Sequence, residues 1–156
     1  MATIVSKMVQ VHIVRRVGTT DDQFEFLVMQ RSDGQKRYPA MWQVVTGKVD
    51  DGETMVECAK RELLEETGLV PIKFWTLPYV STFYEPKDDS MNLVPVFGVE
   101  VSENAEVVLS DEHQNFQWLS DEEAFQLLEL PSHHQGHNIF LNYILESTKK
   151  DVYTHL

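Results

Sequence analysis

Cysteine is nearly missing from this chain of 156 residues, where Cys58 stands alone. No internal disulfide can form, and the expected compartment is a reducing cytoplasm. With no His or Asp in register beside it to activate a thiolate, Cys58 reads as packing. Cations are also scarce, since 13 Lys and Arg face 25 Asp and Glu and leave a formal net charge of -12. Duplex DNA or RNA is therefore not an expected partner, because such binding relies on Lys and Arg to neutralise phosphates. Long apolar runs are missing too, and none approaches the roughly 20 residues that cross a bilayer, so no membrane partner is expected. The opening MATIVSKMVQVHIV lacks a basic stretch, an unbroken apolar segment and a small-residue cleavage site, so no secretory leader is expected. Proline and glycine number 6 and 7, and they gather in no linker, repeat or low-complexity tract.

The chain does contain the makings of a core. It is 42% hydrophobic and 24% charged, within the range of a globular protein, and its length suits a single domain over residues 1–156. Residues 9–17 and 24–30 read as a strand pair around the turn Gly18-Thr19-Thr20-Asp21-Asp22. Further strands are expected at 42–45, 71–75, 79–84, 93–101 and 116–119, all rich in β-branched and aromatic residues. Ser120-Asp121-Glu122-Glu123 is a capping-box sequence opening a helix to about residue 130, and 136–149 reads as a last helix. Strands with helices spread among them predict an α/β fold, a mixed sheet covered on both faces.

Residues 47–69, GKVDDGETMVECAKRELLEETGL, carry the most information. Thr54 and Glu57 have capping-box spacing, Val56, Ala59 and Leu63 recur at helical intervals, and Gly68 supplies a left-handed stop, so a helix is predicted over 55–67. On it Glu62, Glu65 and Glu66 stand at i, i+3 and i+4 and share one face. Like charges so placed repel, which is a reasonable arrangement if divalent cations are their neighbours. With Glu53 in the preceding loop there are more carboxylates than one Mg²⁺ needs, so more than one metal is expected. Arg61, four residues from both Glu57 and Glu65, can fork to a carboxylate and orient it. Most acidic helix faces are only solvated; Gly47, Glu53 and Gly68 at fixed spacing set this one apart. Seven such positions would coincide by chance about once in 10^9 starting points.

The pattern Gly-x5-Glu-x7-Arg-Glu-Leu-Leu-Glu-Glu-x-Gly-Leu resembles the Nudix box, with every position filled. The resemblance implies an α/β/α sandwich with a mixed sheet, Mg²⁺ as cofactor with Mn²⁺ as a substitute, and a small-molecule nucleotide substrate. The protein would be a monomer or homodimer. It also implies a backbone-carbonyl ligand at Thr46 and a further glutamate ahead of a Trp-Leu strand. Glu112, before Trp118-Leu119, matches that place, with Asp111, Glu106 and Glu103 as neighbouring competitors. The expected metal ligands are thus Thr46, Glu62, Glu65, Glu66 and Glu112, and the catalytic set is Glu53, Arg61, Glu62, Glu65 and Glu112. Glu53 and Glu112 each remain open as ligand or base.

For substrate contact, Arg31 and Lys48 are the leading cations, with Arg37 and Lys36 behind them. Trp42, Phe83, Tyr84 and Trp118 offer flat partners for a base, although an aromatic in a strand is more often core. His133, His134 and His137 include an i, i+4 His pair, but without the glutamate of a zinc protease they read as a surface at a helix entry. Trp42-Gln43-x-Val45-Thr46-Gly47 with Glu112-His113 resembles the dihydroneopterin triphosphate and dATP pyrophosphohydrolase branch. Pro86 and Tyr84 lie near, but out of register with, the markers of ADP-ribose and dinucleoside polyphosphate hydrolases. The expected reaction is metal-dependent cleavage of a nucleoside or pterin triphosphate to monophosphate and pyrophosphate. Alternatives are another nucleoside diphosphate derivative (ADP-ribose, a dinucleoside polyphosphate, a nucleotide sugar, an RNA 5′ end) or a non-catalytic nucleotide-binding module.

Overall fold

The computed structural model describes residues 1–20, 23–147 and 150–154. Its organising element is β2 (Met8–Arg16), buried on both faces from Val9 to Val14. Val9, Val11 and Ile13 point to one side of the sheet and Gln10, His12 and Val14 to the other, the two-residue alternation of a pleated strand. Along one edge β2 pairs in parallel with β7 (Ser90–Val101) over Gln10 to Arg15. The opposite edge serves two strands. β5 (Val45–Lys48) takes its beginning, from Met8 to Val11, and β3 (Phe24–Arg31) takes its end, from Val14 to Arg16, both antiparallel. The sheet therefore forks at the middle of β2. On the β3 arm lie β4 (Trp42–Gln43) and β8 (His113–Leu119), while β7 carries β1 (Thr3–Val5) in parallel and β6 (Lys73–Glu85) antiparallel.

Each face has its own core. On one, Val9, Val11, Ile13, Leu27 and Met29 pack with Cys58, Ala59 and Leu63 of α1 (Met55–Thr67). On the other, Val14, Phe26, Val28 and Trp75 pack with Ala124 of α2 (Asp121–Leu127), Leu128, and Phe140 and Ile144. Those last two lie on the π-helical segment Phe140–Leu145 that continues α3 (Pro131–Ile139). This is the α/β/α sandwich with a mixed sheet.

Several boundaries differ from the sequence expectation for physical reasons. The expected strand at 42–45 is two strands, because the chain crosses the fork here, with Gln43 paired to β3 and Val45 to β2. The segments 71–75 and 79–84 are one strand, β6, whose register shifts between Thr76 and Val80. Pro78, within that interval, has no N–H to give the ladder. The last helix begins at Pro131 rather than at 136, since a proline is tolerated in the first turn. Gly136 is then interior to α3, and a Cβ there would collide with His12 and Gln10 on the sheet. The histidines correct the expectation of an exposed helix entry, since His133 and His137 are buried against the sheet and His134 is half-buried. Asp21 and Asp22 of the expected turn, and Lys149 at the expected end of the last helix, lie outside the described residues.

The seat of the π-helical segment is set by Gly98, where a Cβ would stand 2.5 Å from the Phe140 ring. Gly98→Ala is therefore expected to lower unfolding stability by about 1–3 kcal/mol, an overpacking cost. Phe140→Leu in the same chain should recover part of it. Urea denaturation of the single and double variants measures this, and an unchanged midpoint for Gly98→Ala would refute the packing account.

Candidate active site

The helix α1 is held at both ends, which sets the phase of every carboxylate on it. At its start the Glu57 N–H donates to Thr54 Oγ1 at 3.2 Å while the Thr54 N–H donates to Glu57 Oε2 at 2.8 Å. At its end Gly68, with φ of 71°, donates its N–H to the Leu64 carbonyl. Between these caps Arg61 gathers the acids. Its Nε and Nη2 donate to the two oxygens of Glu53 at 2.7 and 2.9 Å, Nη1 donates to Glu62 at 2.8 Å and Glu65 at 3.1 Å, and Nη2 donates to the Lys48 carbonyl at 2.9 Å. The bonds from Arg61, above all, hold the Glu53 carboxyl down at about 2, so Glu53 is a fixed anion across the working pH range. Next to it Cys58 is buried and its thiol is pushed up to about 12, first by burial and then by Glu53, which leaves it inert.

Glu66 lies in the opposite situation. It is 2% exposed, and neither carboxylate oxygen has a hydrogen-bond partner among the described residues. Burial first, then the nearby Glu112 and Glu62 carboxylates, push its pKa up to about 10. Burial likewise raises Glu62, against the pull of Arg61. Glu62 comes this close to the β5 backbone because residue 47 is glycine, where any Cβ would overlap its side chain. Glu66, Glu112 and His113 each offer one ligand atom within 4.8 Å of the others. A buried carboxylate with no donor, facing two further carboxylates, is poorly compensated by protein alone, and hard oxygen donors of this kind suit Mg²⁺ or Mn²⁺. The residues present thus fit a divalent cation.

A cavity of about 280 Å³ opens on this cluster and is bordered by Glu62, Glu112, Thr46, Gly47, Lys48 and Arg31. A second, of about 620 Å³, shares Met8, Thr46 and Arg31 with it and runs under Gln10, Gln43, His133 and the aromatic rings of Tyr38, Phe83 and Tyr84. Both lie where the sheet forks, between the β2–β5 arm and the β3–β4 arm. Arg31 is held at their junction by bonds from its Nε to the Arg37 carbonyl at 2.9 Å and from Nη2 to Gln35 Oε1 at 3.1 Å.

The structure thus brings together Glu53, Arg61, Glu62, Glu66, Glu112, Thr46, Lys48 and Arg31. Glu65 is different, because it lies 58% exposed on the rim, bonded to Arg61. Trp42 and Trp118 border neither cavity. Trp42 packs against the α2–α3 core, and Trp118 packs on the α1 core under the Arg15 guanidinium at 4.4 Å. Sequence reasoning missed His113 and Gln43 as neighbours of the acids. The Nδ1 of buried His113 lies 3.9 Å from Glu66 Oε1, and its Nε2 lies 2.8 Å from Gln43 Nε2. Both stood within the short motifs Trp42-Gln43 and Glu112-His113 that carry the branch resemblance, but no role was read from them.

The profile of the NUDIX domain matches residues 9–142, which takes in every strand of the fork, α1 and Glu112. The chain belongs to the Nudix family. This Nudix chain is 36% identical over 123 residues to the asymmetrical bis(5′-nucleosyl)-tetraphosphatase of Rattus norvegicus, covering 74% of this chain and 76% of that protein. It is 29% identical over 112 residues to the nucleoside triphosphatase NudI of Salmonella arizonae, covering 67% and 79%. The structure of the E. coli dihydroneopterin triphosphate pyrophosphohydrolase superposes with a TM-score of 0.64 over 85% of this chain and 93% of that one; at 24% identity it shows the shared fold. Nudix hydrolases that act on nucleoside triphosphates and on dinucleoside polyphosphates are thus both among the relatives, and this chain is a Nudix pyrophosphohydrolase. Among the described residues no helix is long and apolar enough to cross a membrane.

The raised Glu66 has a measurable consequence. Its folded pKa of about 10 lies above the ordinary 4.5, so between those values the folded chain keeps a proton that the unfolded chain has lost, and stability falls as pH rises. Buried His113 and His133, lowered to about 4 from 6.5, act only below pH 6.5 and with the opposite sign. The window from pH 7 to 8, above the histidines and below the ordinary 9.0 of the Cys58 thiol, therefore isolates the carboxylate. In metal-free protein, Tm should fall across that window, and Glu66→Gln should flatten the slope and raise Tm at pH 8. Parallel pH profiles for the two proteins by scanning calorimetry would refute the assignment.

Proposed function

We propose that this chain is a divalent-metal-dependent pyrophosphohydrolase of nucleoside triphosphates, releasing a nucleoside monophosphate and pyrophosphate. The observation that carries this is the unpaired, buried Glu66 carboxylate, flanked by Glu62 and Glu112 on the border of a small acidic cavity that shares Met8, Thr46 and Arg31 with a larger one partly walled by aromatic rings. Mg²⁺, with Mn²⁺ as a substitute, would be held by Glu62, Glu66, Glu112 and the Thr46 carbonyl, with Glu65 on the rim. Such ions supply charge neutralisation for the phosphates and lower the pKa of the attacking water. Arg61 orients Glu53 and Glu62 through its forked bonds, and Arg31 and Lys48 meet phosphate oxygens from the cavity wall. Glu53, locked by Arg61 and strongly acidic, is a poor proton acceptor. Glu112, exposed at the cavity edge, is the better placed base. The nucleoside enters the larger cavity as a small-molecule ligand.

The same reading keeps the whole chain as one domain, a monomer or homodimer acting in the cytoplasm; the single buried cysteine supports that compartment. Dinucleoside polyphosphates are a second reading, supported by the 36% identity to the rat tetraphosphatase and by Tyr38, Phe83 and Tyr84 in the larger cavity, which offer ring faces.

Product analysis separates the two. With saturating Mg²⁺, nucleoside triphosphates should yield monophosphate and pyrophosphate with a higher kcat/KM than diadenosine tetraphosphate. Glu66→Gln should cut turnover on the order of 10^2-fold or more. Orthophosphate as the first product, or turnover of Glu66→Gln within a few-fold of the parent, would contradict the proposal. A preference for the tetraphosphate would move it to the second reading.

A further inference from the structure

Two glutamine side chains in the wall of the larger cavity are held by partners that decide which way their amides face. Gln10, 2% exposed on β2, has its Nε2 at 3.1 Å from the Ser132 carbonyl and 2.8 Å from His12 Nε2. A carbonyl oxygen only accepts, so Ser132 fixes the nitrogen on that side, and both amide N–H groups are used. Turning the amide over would press its oxygen against the Ser132 oxygen. The close seat of α3 at Gly136, where a Cβ would collide with His12 and Gln10, keeps these groups together. His12 accepts because burial, then His133 and His137, hold it neutral. The Gln10 Oε1 has no partner among the described residues, so Gln10 presents an acceptor and nothing else to the cavity.

Gln43 is pinned from the other side. Its Nε2 lies 2.8 Å from His113 Nε2, and because an amide nitrogen only donates, His113 accepts one N–H of Gln43 there. One N–H and the carbonyl oxygen of Gln43 remain for the cavity. The wall therefore offers a donor and an acceptor from Gln43 and an acceptor from Gln10.

We propose that this wall reads the edge of a 2-amino-4-oxopyrimidine ring, the edge shared by guanine and pterins, with Gln43 taking the ring carbonyl and ring N–H and Gln10 taking the exocyclic amine. This rests on the site being a nucleotide hydrolase and narrows its substrate class. With Gln43 held this way, adenine sets its amine against the Gln43 N–H, its unprotonated ring nitrogen against the Gln43 oxygen and only a C–H against Gln10, while cytosine and uracil would set a carbonyl oxygen against the Gln10 oxygen. A freely turning glutamine would adapt to any of these; a pinned one discriminates, because the wrong ring leaves a buried acceptor unpaired.

The test compares GTP, ITP, ATP and dihydroneopterin triphosphate on the native protein with Mg²⁺, ITP differing from GTP only in the missing amine. GTP should exceed ITP in kcat/KM by roughly 10- to 100-fold, and Gln10→Leu should bring that ratio close to one. Equal use of GTP and ITP by the native protein, or a preference for ATP, would overturn the proposal. A dihydroneopterin substrate ahead of GTP supports the edge and names pterin as its source, whereas GTP ahead names guanine. The α,β-methylene analogues of GTP and ITP, titrated calorimetrically, repeat the native comparison without turnover. A GTP preference retained there while GTP itself is not hydrolysed would sink the proposed reaction and leave the ring recognition standing, and equal affinities would sink the recognition.

Discussion

A carboxylate buried without a donor is unstable unless something answers its charge, and Glu66 is in that position. Its immediate neighbours are Glu112, Glu62 and the uncharged ring of His113, so the protein compounds the problem rather than relieving it. Relief by protonation is available only while the site has no cation. The surrounding architecture makes sense as a device that holds this frustrated group in place. The caps at Thr54 and Gly68 set the rotation of α1, and Leu63 and Ala59 anchor it on the sheet. Gly47 then lets Glu62 lie against the β5 backbone. Such local conflict in an otherwise consistent fold is the signature of a functional site.

Arg61 divides the acids into two populations. The carboxylates it touches directly are oriented, and Glu53 is made a permanent anion. Glu66, which it does not touch, is left for a cation. The fork in the sheet supplies the rest. Because β2 gives one edge to both β5 and β3, a crevice opens beside Thr46 and Arg31, and the acidic cluster meets a cavity large enough for an aromatic ring. The polar side chains in its wall are turned by their partners, Gln10 by the Ser132 carbonyl and His12 and Gln43 by His113.

What could be read from the sequence was local. The box from Gly47 to Leu69 is contiguous, so its spacing alone yields the helix, both caps and the shared face of Glu62, Glu65 and Glu66. Glu112 was legible through its place before the Trp118 strand. The fork was not, because the choice between β3 and β5 as a partner of β2 is a contact between distant segments. Gln10 and His12 alternate with Val9, Val11 and Ile13, a pattern that ordinarily marks a wetted face. Here α3 covers that face, and Gly136 lets it come close. The histidines were misread for the same reason, since a polar run such as His133-His134-Gln135 looks exposed until a polar sheet face is found beneath it. Glu65 and Glu66 are adjacent and chemically identical, so only the structure shows one at the rim and the other in the core.

The central claim is that Glu66 carries a proton until a cation replaces it. Titration calorimetry of Mn²⁺ binding at pH 8, in buffers of differing ionisation enthalpy, counts the protons released on binding. The account predicts release of about one proton by the native protein, as expected for a carboxyl whose pKa lies above the solution pH, and much less by Glu66→Gln. Binding with no proton released by the native chain would mean that Glu66 is already ionised or is not a ligand, and would contradict the account.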